Sequence, residues 1–291
     1  MLSKLSNRCL TARKAGVSMM GTISTSGEVV AATSAFTNVG SVGEYTLTIS
    51  AGVILRKLTT DGFPAGSRLT VRNNGAIIGY GGKGGCSDRT DMPSYAGQII
   101  HMDVTDGGDA ISASLPLIID NTAGYIFGGG GGGAGATQFS ARSSGMAWIA
   151  FSVHVMCMGG GGAGGGVPGD GGVGFPGRSA YQRNVSDANN SLLFPYGSVI
   201  ATSGTTGVSG VAGRPGDSTP AGHNPGAGGE YGQAGGNSYV YNNIGDNGAA
   251  YPGYSYFVVT GGAGGYAVRA NGNAITWLGG NTPERVKGAV A

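Results

Sequence analysis

Few side chains in this sequence combine the type and spacing that catalysis or metal binding needs. His101, Asp103, Asp106 and Asp109 gather beside Gly107 and Gly108. A calcium loop would use such oxygens, but the EF-hand spacing and the GGxGxD repeat are both missing, so a solvated turn accounts for the cluster. His154 and Cys157 stand close together among apolar neighbours, whereas a zinc site takes four such ligands, so they read as a buried structural pair. Gly81, Gly82, Lys83 and Gly84 lack the following hydroxyl residue of a phosphate cradle. No G-x-S-x-G elbow occurs. The 15 acidic residues are scattered, with no carboxylate pair near aromatics of the kind a polysaccharide-cleaving enzyme needs. The sequence therefore predicts no catalytic residue, no metal and no cofactor.

The chemistry on offer is that of recognition. The segment 237–260 sets Tyr239, Tyr241, Tyr251, Tyr254 and Tyr256 among Asn, Ser and Gly. This is the composition of an antibody paratope, in which Tyr supplies broad amphipathic contact at low entropic cost and small polar residues adapt around it. The segment 178–203 repeats the theme with Tyr181, Arg183 and Tyr196. Aromatic and Arg side chains dominate interface energetics, so these eight are the candidate binding residues. Two further segments of ordinary composition, 86–111 and 137–158, lie between glycine tracts in the same way.

What must hold those segments in place is glycine. Of 291 residues 62 are Gly, concentrated at 128–136, 159–177 and 204–236. Glycine at this density costs backbone entropy, so the chain either stays disordered or uses the missing Cβ to bring backbones together. A disordered chain is poor in apolar residues and rich in charge; this one is 40% hydrophobic and 11% charged. Collagen needs glycine at every third position over long runs, with abundant proline, and the periodicity here is patchy. The remaining solution is a stack of extended, left-handed polyglycine-II helices with three residues per turn. These form no internal hydrogen bonds and must bond to one another.

A formal net charge of +2 gives no basis for a nucleic-acid partner. Charge is uneven only at the start, where Lys4, Arg8, Arg13 and Lys14 precede the first acid, Glu28. The opening residues lack the apolar run of a secretory signal, and no stretch is long and apolar enough to span a bilayer as a helix. Three widely spaced cysteines, Cys9, Cys86 and Cys157, imply no disulfide framework. Folding in a reducing cytosol is expected.

Tyr45, Leu47 and Ile49 alternate with Thr46, Thr48 and Ser50, the pattern of a half-buried strand. A longer pattern then recurs: LTVRNNGAIIGYGGKGG from Leu69 to Gly85, and IIDNTAGYIFGGGGGGAG from Ile118 to Gly135. Val71 aligns with Ile119, Asn73 with Asn121, Gly75 with Gly124, Ile77 with Ile126, and Gly79 with Gly128. AVRANGNAITWLGG near the end reads as a degenerate third copy. The Asn-Gly steps at 74–75 and 271–272 signal tight turns, so each copy is expected to be a β-hairpin feeding a glycine rod. The fold class expected is mainly β and irregular, essentially without α-helix: an N-terminal attachment segment 1–44, a β-hairpin stem 45–127, and a polyglycine-II lattice with long connecting loops over 128–291.

The unit RLTVRNNGAIIGYGGKGG, the later GYIFGGGGGGAGA and the terminal GNAITWLGGNTPERVKG resemble the glycine-rich receptor-binding tail proteins of tailed bacteriophages, both tail fibre adhesins and tail-tip host-specificity proteins. The resemblance covers about residues 45–291. It implies a non-enzymatic adhesin on the distal tail of the virion, made in the host cytoplasm and released by lysis. It also implies that segments between polyglycine helices touch a bacterial outer-membrane receptor, a protein rather than a glycan. Residues 1–44 fall outside the resemblance and are expected to join another tail protein. A monomeric cap and a homotrimeric tip remain equally open. The competing class is a glycine-rich structural or ice-binding protein, which should carry flat, regular faces of repeated Thr or Ala.

Overall fold

The computed structural model describes residues 17–85, 104–134, 136–143, 150–157, 181–184, 200–201, 212–214, 218–219, 226–244 and 255–291. Among the described residues there are strands, one short 3-10 turn at Ala32–Ala35, and no α-helix. The chain rises in coils, each giving one strand to each of two parallel sheets. The first coil holds β1 (Val17–Ile23) and β2 (Gly27–Ala31), the second β3 (Gly43–Ile49) and β4 (Ile54–Thr59), the third β5 (Arg68–Asn73) and β6 (Ala76–Ile78). The short β7 (Ile111–Ser112) returns the chain to the stack, and β8 (Leu117–Asp120) and β9 (Tyr125–Phe127) make the fourth coil. Beyond it lie β10 (Ala136–Ser143), β11 (Ala150–Cys157), β12 (Tyr181–Asn184), β13 (Ile200–Ala201), β14 (Ser218–Thr219), β15 (Ser238–Ile244) and β16 (Ser255–Val259). The chain then re-enters the stack through β17 (Val268–Arg269) and ends on a fifth coil, β18 (Ile275–Gly279) and β19 (Val286–Lys287).

One sheet runs β1-β3-β5-β8-β18, with parallel neighbours throughout. The facing sheet runs β17-β7-β4-β6-β9-β19, with β2 beside β4. Alternation fills the space between them. Leu47, Ile49, Leu69, Val71, Leu117 and Ile119 come from the first sheet, Leu55, Leu58, Ile77, Ile111, Ile126 and Val268 from the second, and all are fully buried. Phe36, Tyr45 and Phe63 close the lower part of this core, with edge-on ring centroids 4.8–5.8 Å apart.

The expected hairpins do not form. In each copy of the repeat the two strands enter different sheets, so β5 pairs with β3 and β8, and β6 pairs with β4 and β9. The aligned positions become parallel partners instead: Val71 faces Ile119 and Ile77 faces Ile126. At the corner, buried Asn73 donates from Nδ2 to Asn121 Oδ1 (2.8 Å) and to the Tyr125 carbonyl (3.1 Å), while its Oδ1 accepts from Gly75 N (3.1 Å). Asn121 donates in turn to the Gly280 and Arg285 carbonyls of the fifth coil. The two Asn side chains thus satisfy the corner backbone from coil to coil, a task a hairpin turn does not have. The third copy is shifted in phase. Val268 pairs with Ile111, and Ile275 and Trp277 pair with Leu117 and Ile119, so it repeats 111–119.

The glycine segments leave the stack where these strands end. Gly79, Gly82 and Gly85 donate to the carbonyls of Phe127, Gly130 and Gly133; Gly129 and Gly132 donate to Gly108 and Thr105. Gly131 and Ala134 donate to Gln233 and Gly236, while Gly226, Gly229 and Gly232 donate to Ala134, Gly131 and Gly128. Gly262 and Gly265 donate to Gly132 and Gly129. The bonds recur at every third residue, and the tract 128–134 is surrounded by five such segments. That explains its composition. Outer segments carry a side chain at every third position, as Tyr80 and Lys83 do on one and Ala227 and Glu230 on another, and all four are exposed. The surrounded tract has no such free position, and residues 128–133 are all Gly. The tract at 159–177 and residues 204–211 lie outside the described residues.

A methyl group at Gly129 or Gly132 would sit 1.7 Å from the carbonyl oxygen of Tyr80 or Lys83, which is backbone and cannot turn aside. Gly132→Ala is therefore expected to cost about 3 kcal/mol or more, or to prevent soluble folding. Ala263→Gly, at an exposed position of an outer segment, should cost no more than about 1 kcal/mol. Thermal unfolding of the two variants checks the difference.

Candidate functional site

A second five-stranded sheet, in the order β12-β11-β10-β15-β16, grows directly from the glycine segments. β10 starts two residues after Ala134, β15 follows Asn237, and β16 runs into Thr260. These three entry points are already bonded to one another. Ala134 N donates to the Gly236 carbonyl (2.9 Å), Gly235 N to that of Gly262 (2.8 Å), and Gly261 N to Asn237 Oδ1 (3.0 Å). The parallel pairing of β10 with β15 and the antiparallel pairing of β15 with β16 continue the directions of the segments beneath. The backbone lattice thus sets the order and spacing of the sheet at its base.

The pairing also defines the opposite end. Ser143 faces Ala150, Phe151 faces Asn184, Ala141 faces Ile244 and Asn242 faces Ser255. Ser143, Ala150, Asn184, Ile244 and Ser255, which border the segments 144–149, 185–199 and 245–254, therefore lie together at the end of the sheet away from the glycine lattice. Near the border of segment 86–103, Gly85 is bonded to Gly133 and Thr105 to Lys83 in the lattice itself.

Of the eight candidate binding residues, five lie on strands. Tyr181 and Arg183 are on β12, Tyr239 and Tyr241 on β15, and Tyr256 on β16. For these five, a position in a connecting loop is corrected. The Asn- and Ser-rich composition that suggested loops also alternates in the strand manner, as in SYVYNNI. Register separates the five. Tyr241 pairs with Tyr256 and Tyr239 with Val258, which assigns these positions to one face. Tyr181 pairs with His154, His154 with Phe139 and Phe139 with Asn242, so Tyr181 and Arg183 belong to the other. Tyr196, Tyr251 and Tyr254 lie outside the described residues, within segments 185–199 and 245–254.

Asp106 and Asp109 of the acidic cluster serve the lattice. Asp106 Oδ1 accepts from Ala263 N (2.7 Å), and Asp109 Oδ1 from Tyr266 N (2.9 Å) and Arg269 Nη2 (3.0 Å). Arg269 Nε pairs with Asp109 Oδ2, and the guanidinium lies 4.1 Å from the centre of the Tyr266 ring. The hydrogen bond it donates to Asp109 raises the pKa of that guanidinium above its ordinary value. Among the described residues no group of His, Cys, Asp or Glu is placed to hold a metal ion; His101 and Asp103 are outside them.

The composition-based reading missed the tyrosines that interrupt the glycine tracts. Tyr80 is hydrogen-bonded to Glu28 and lies under Arg56, whose guanidinium is 5.0 Å from its ring centre. Tyr231 packs on Phe127 at 5.0 Å and on Ile78. The signal for Tyr80 was the spacing of three that separates it from Lys83, as it separates Ala263 from Tyr266. The outer face of the first sheet does carry threonines. Met20, Thr46, Thr70, Ile118 and Thr276 form one row, and Thr22, Thr48, Arg72 and Asp120 the next. Apolar and charged residues break both rows, so the regular face expected of an ice-binding protein is not formed there.

Residues 18–290 match the family described as Phage tail fibre adhesin Gp38, and the chain belongs to that family. Nothing among the curated proteins or the solved structures matches it. Membership fixes the broad role: a phage tail protein that binds a host receptor and attaches to the tail.

Asp109→Ala removes the acceptor of Tyr266 N and the partner of Arg269 together. It is expected to lower stability by about 1–3 kcal/mol, by the same amount with and without added calcium. Denaturant unfolding measured in both conditions checks this.

Proposed function

We propose that this adhesin recognises an outer-membrane protein through the segments that leave the second sheet at its far end, and that it does so without catalysis. The observation that carries the reading is topological: the strand ends that border 144–149, 185–199 and 245–254 lie at one end of one sheet, and that sheet is rooted in a lattice made of backbone. A polyglycine-II scaffold continuing through 159–177 fits the glycine content of that tract, and it would leave the recognising residues free to vary. Tyr196, Tyr251 and Tyr254 belong to the far-end segments, and Tyr239, Tyr241 and Tyr256 share a face leading to them. Tyr and Arg are the residue types from which interfaces draw most of their energy. The site is distal in the virion on this reading, because the two-sheet stack stands at the opposite end of the lattice.

The N-terminal part then faces the tail. β1 and β2 form the first coil of the stack, so residues 1–44 are proposed to contribute the surface that meets another tail protein. The segment lacks the Tyr-rich composition of the far end.

Exchanging 245–254 for the corresponding segment of a relative with another host should change adsorption specificity. Tyr251→Ala and Tyr254→Ala together should cost about 2 kcal/mol of binding or more, roughly thirtyfold in affinity, with little change in unfolding temperature. Unchanged host range and affinity after both substitutions and the exchange would place recognition elsewhere on the chain.

A further inference from the structure

The two ends of the strand stack are built differently. At the C-terminal end the edge is blunted. β18 carries an irregularity between Trp277 and Gly279, β19 is two residues long, Pro283 lies between them, and Lys287 projects from the last strand. These are the devices by which proteins keep an open sheet edge from pairing with another chain. At the N-terminal end, the edge strand of the first sheet, β1, has none of them. β1 is seven residues long and pairs with β3 in unbroken register from Val17 to Ile23. Its sequence, VSMMGTI, contains no charge and no proline. Among the described residues it has a partner strand on one side only. On the outer face of that edge strand, Met20 is 74% exposed. The lumen behind β1 is already filled: a Cβ on Gly21 would meet the Ala35 carbonyl at 2.5 Å, so the open side is the edge and not the interior.

We propose that β1 is a docking edge, onto which a β-strand at the tip of the tail fibre adds in register, extending the first sheet by one strand. The inference rests on the proposed attachment through the N-terminal part and names how that attachment is made. Seven residues in a strand span about 23 Å, long enough for main-chain bonds to supply affinity while Met20 supplies apolar contact. The partner is identified by chemistry and by membership. A tail fibre adhesin must join a fibre, the far end is given to recognition, and an uncharged edge fits a strand of apolar and hydroxyl residues. A second copy of this chain and residues 1–16 folded back on β1 are the competing occupants.

The test uses full-length protein co-expressed with its tail fibre, with adhesin per fibre as the readout. Ser18→Lys, Met20→Lys and Thr22→Lys together place charge on exposed outer-face positions of β1 and leave its buried face intact. Incorporation should fall about tenfold or more, with unfolding temperature and competition for host adsorption by the soluble variant unchanged. Met20→Lys alone serves if the triple variant does not fold. Thr276→Lys with Leu278→Lys, on the blunted edge, should leave incorporation at the original level. A folded domain fused ahead of Met1 separates the two ideas. If the fusion blocks incorporation and the β1 lysines do not, attachment is N-terminal but edge pairing is overturned. If neither blocks it, both readings fall. Sedimentation of the soluble protein addresses the competitors: a dimer dissolved by the β1 lysines overturns the proposal in favour of a second copy. Dimerisation that begins only on deletion of residues 2–16 overturns it in favour of the chain's own N-terminus.

Discussion

The structure depends on one requirement: a backbone with no side chains must satisfy its hydrogen bonds in every direction at once. In a sheet a strand has two neighbours. The tract 128–134 has five surrounding segments and also receives the Lys287 carbonyl, bonded to Gly128 N. This is possible only where successive residues point their amides and carbonyls in three different directions, and only where no Cβ intervenes. The spacing of 1.7–2.0 Å between a hypothetical Cβ at each of Gly128–Gly133 and the nearest carbonyl oxygen shows how completely the missing atom is used. Burial of apolar side chains, which builds the strand stack, contributes little inside this lattice. Its order comes from polar bonds made where water is excluded, and each unmade bond would be costly.

The stack and the lattice are parts of one hydrogen-bonded system. The ladder of β6 with β9 passes directly into the bond from Gly79 N to the Phe127 carbonyl, and the ladder of β7 with β17 begins from Ala110 N bonded to the Tyr266 carbonyl. Where the strands diverge, side chains take over from the backbone. Asn73 and Asn121 bridge coils at the corner, and Asp106 and Asp109 accept the amides of Ala263 and Tyr266 at the rim. Both ends of the described chain lie in the stack, so the long excursion between β9 and β17 is held at its root from both directions. Rigidity at the root is what a recognition surface on connecting segments requires.

Much of this was legible in the sequence. The alignment of Val71 with Ile119 and Ile77 with Ile126 proved to be the spatial register of the sheets, because a parallel stack places like residues over like. The turn at Asn271-Gly272 was read from its dipeptide, and both residues have positive φ, 50° and 81°. The corners between the sheets were not legible. Asn74-Gly75 carries the same local signal, yet the chain there turns a corner between sheets. The choice between hairpin and corner is made by partners far along the chain, β3 before β5 and β8 after it, which no local pattern contains. The placement of Tyr181, Tyr239, Tyr241 and Tyr256 on strands was missed for a related reason, since polar alternation in a sheet outside the main core looks like loop composition.

The spacing of side chains within the glycine tracts carries more information than their glycine count. A segment on the outside of the lattice has one free direction in three, and there the sequence reads x-Gly-Gly: Tyr80 and Lys83, Ala227 and Glu230, Ala263 and Tyr266. A segment inside has none and reads as unbroken glycine. Position in the lattice is therefore written in the period of the interruptions, as burial in a helix is written in a period of 3.6. This separates two kinds of constraint along one chain. The surrounded positions tolerate only glycine, whatever the receptor. β10, β15 and β16, which follow Ala134 and Asn237 and precede Thr260, are constrained by strand pairing and by where the lattice delivers them. A root specified by backbone alone leaves no side-chain core there to be re-solved when the segments it carries change in sequence, and the proposed recognition by those segments draws on that freedom.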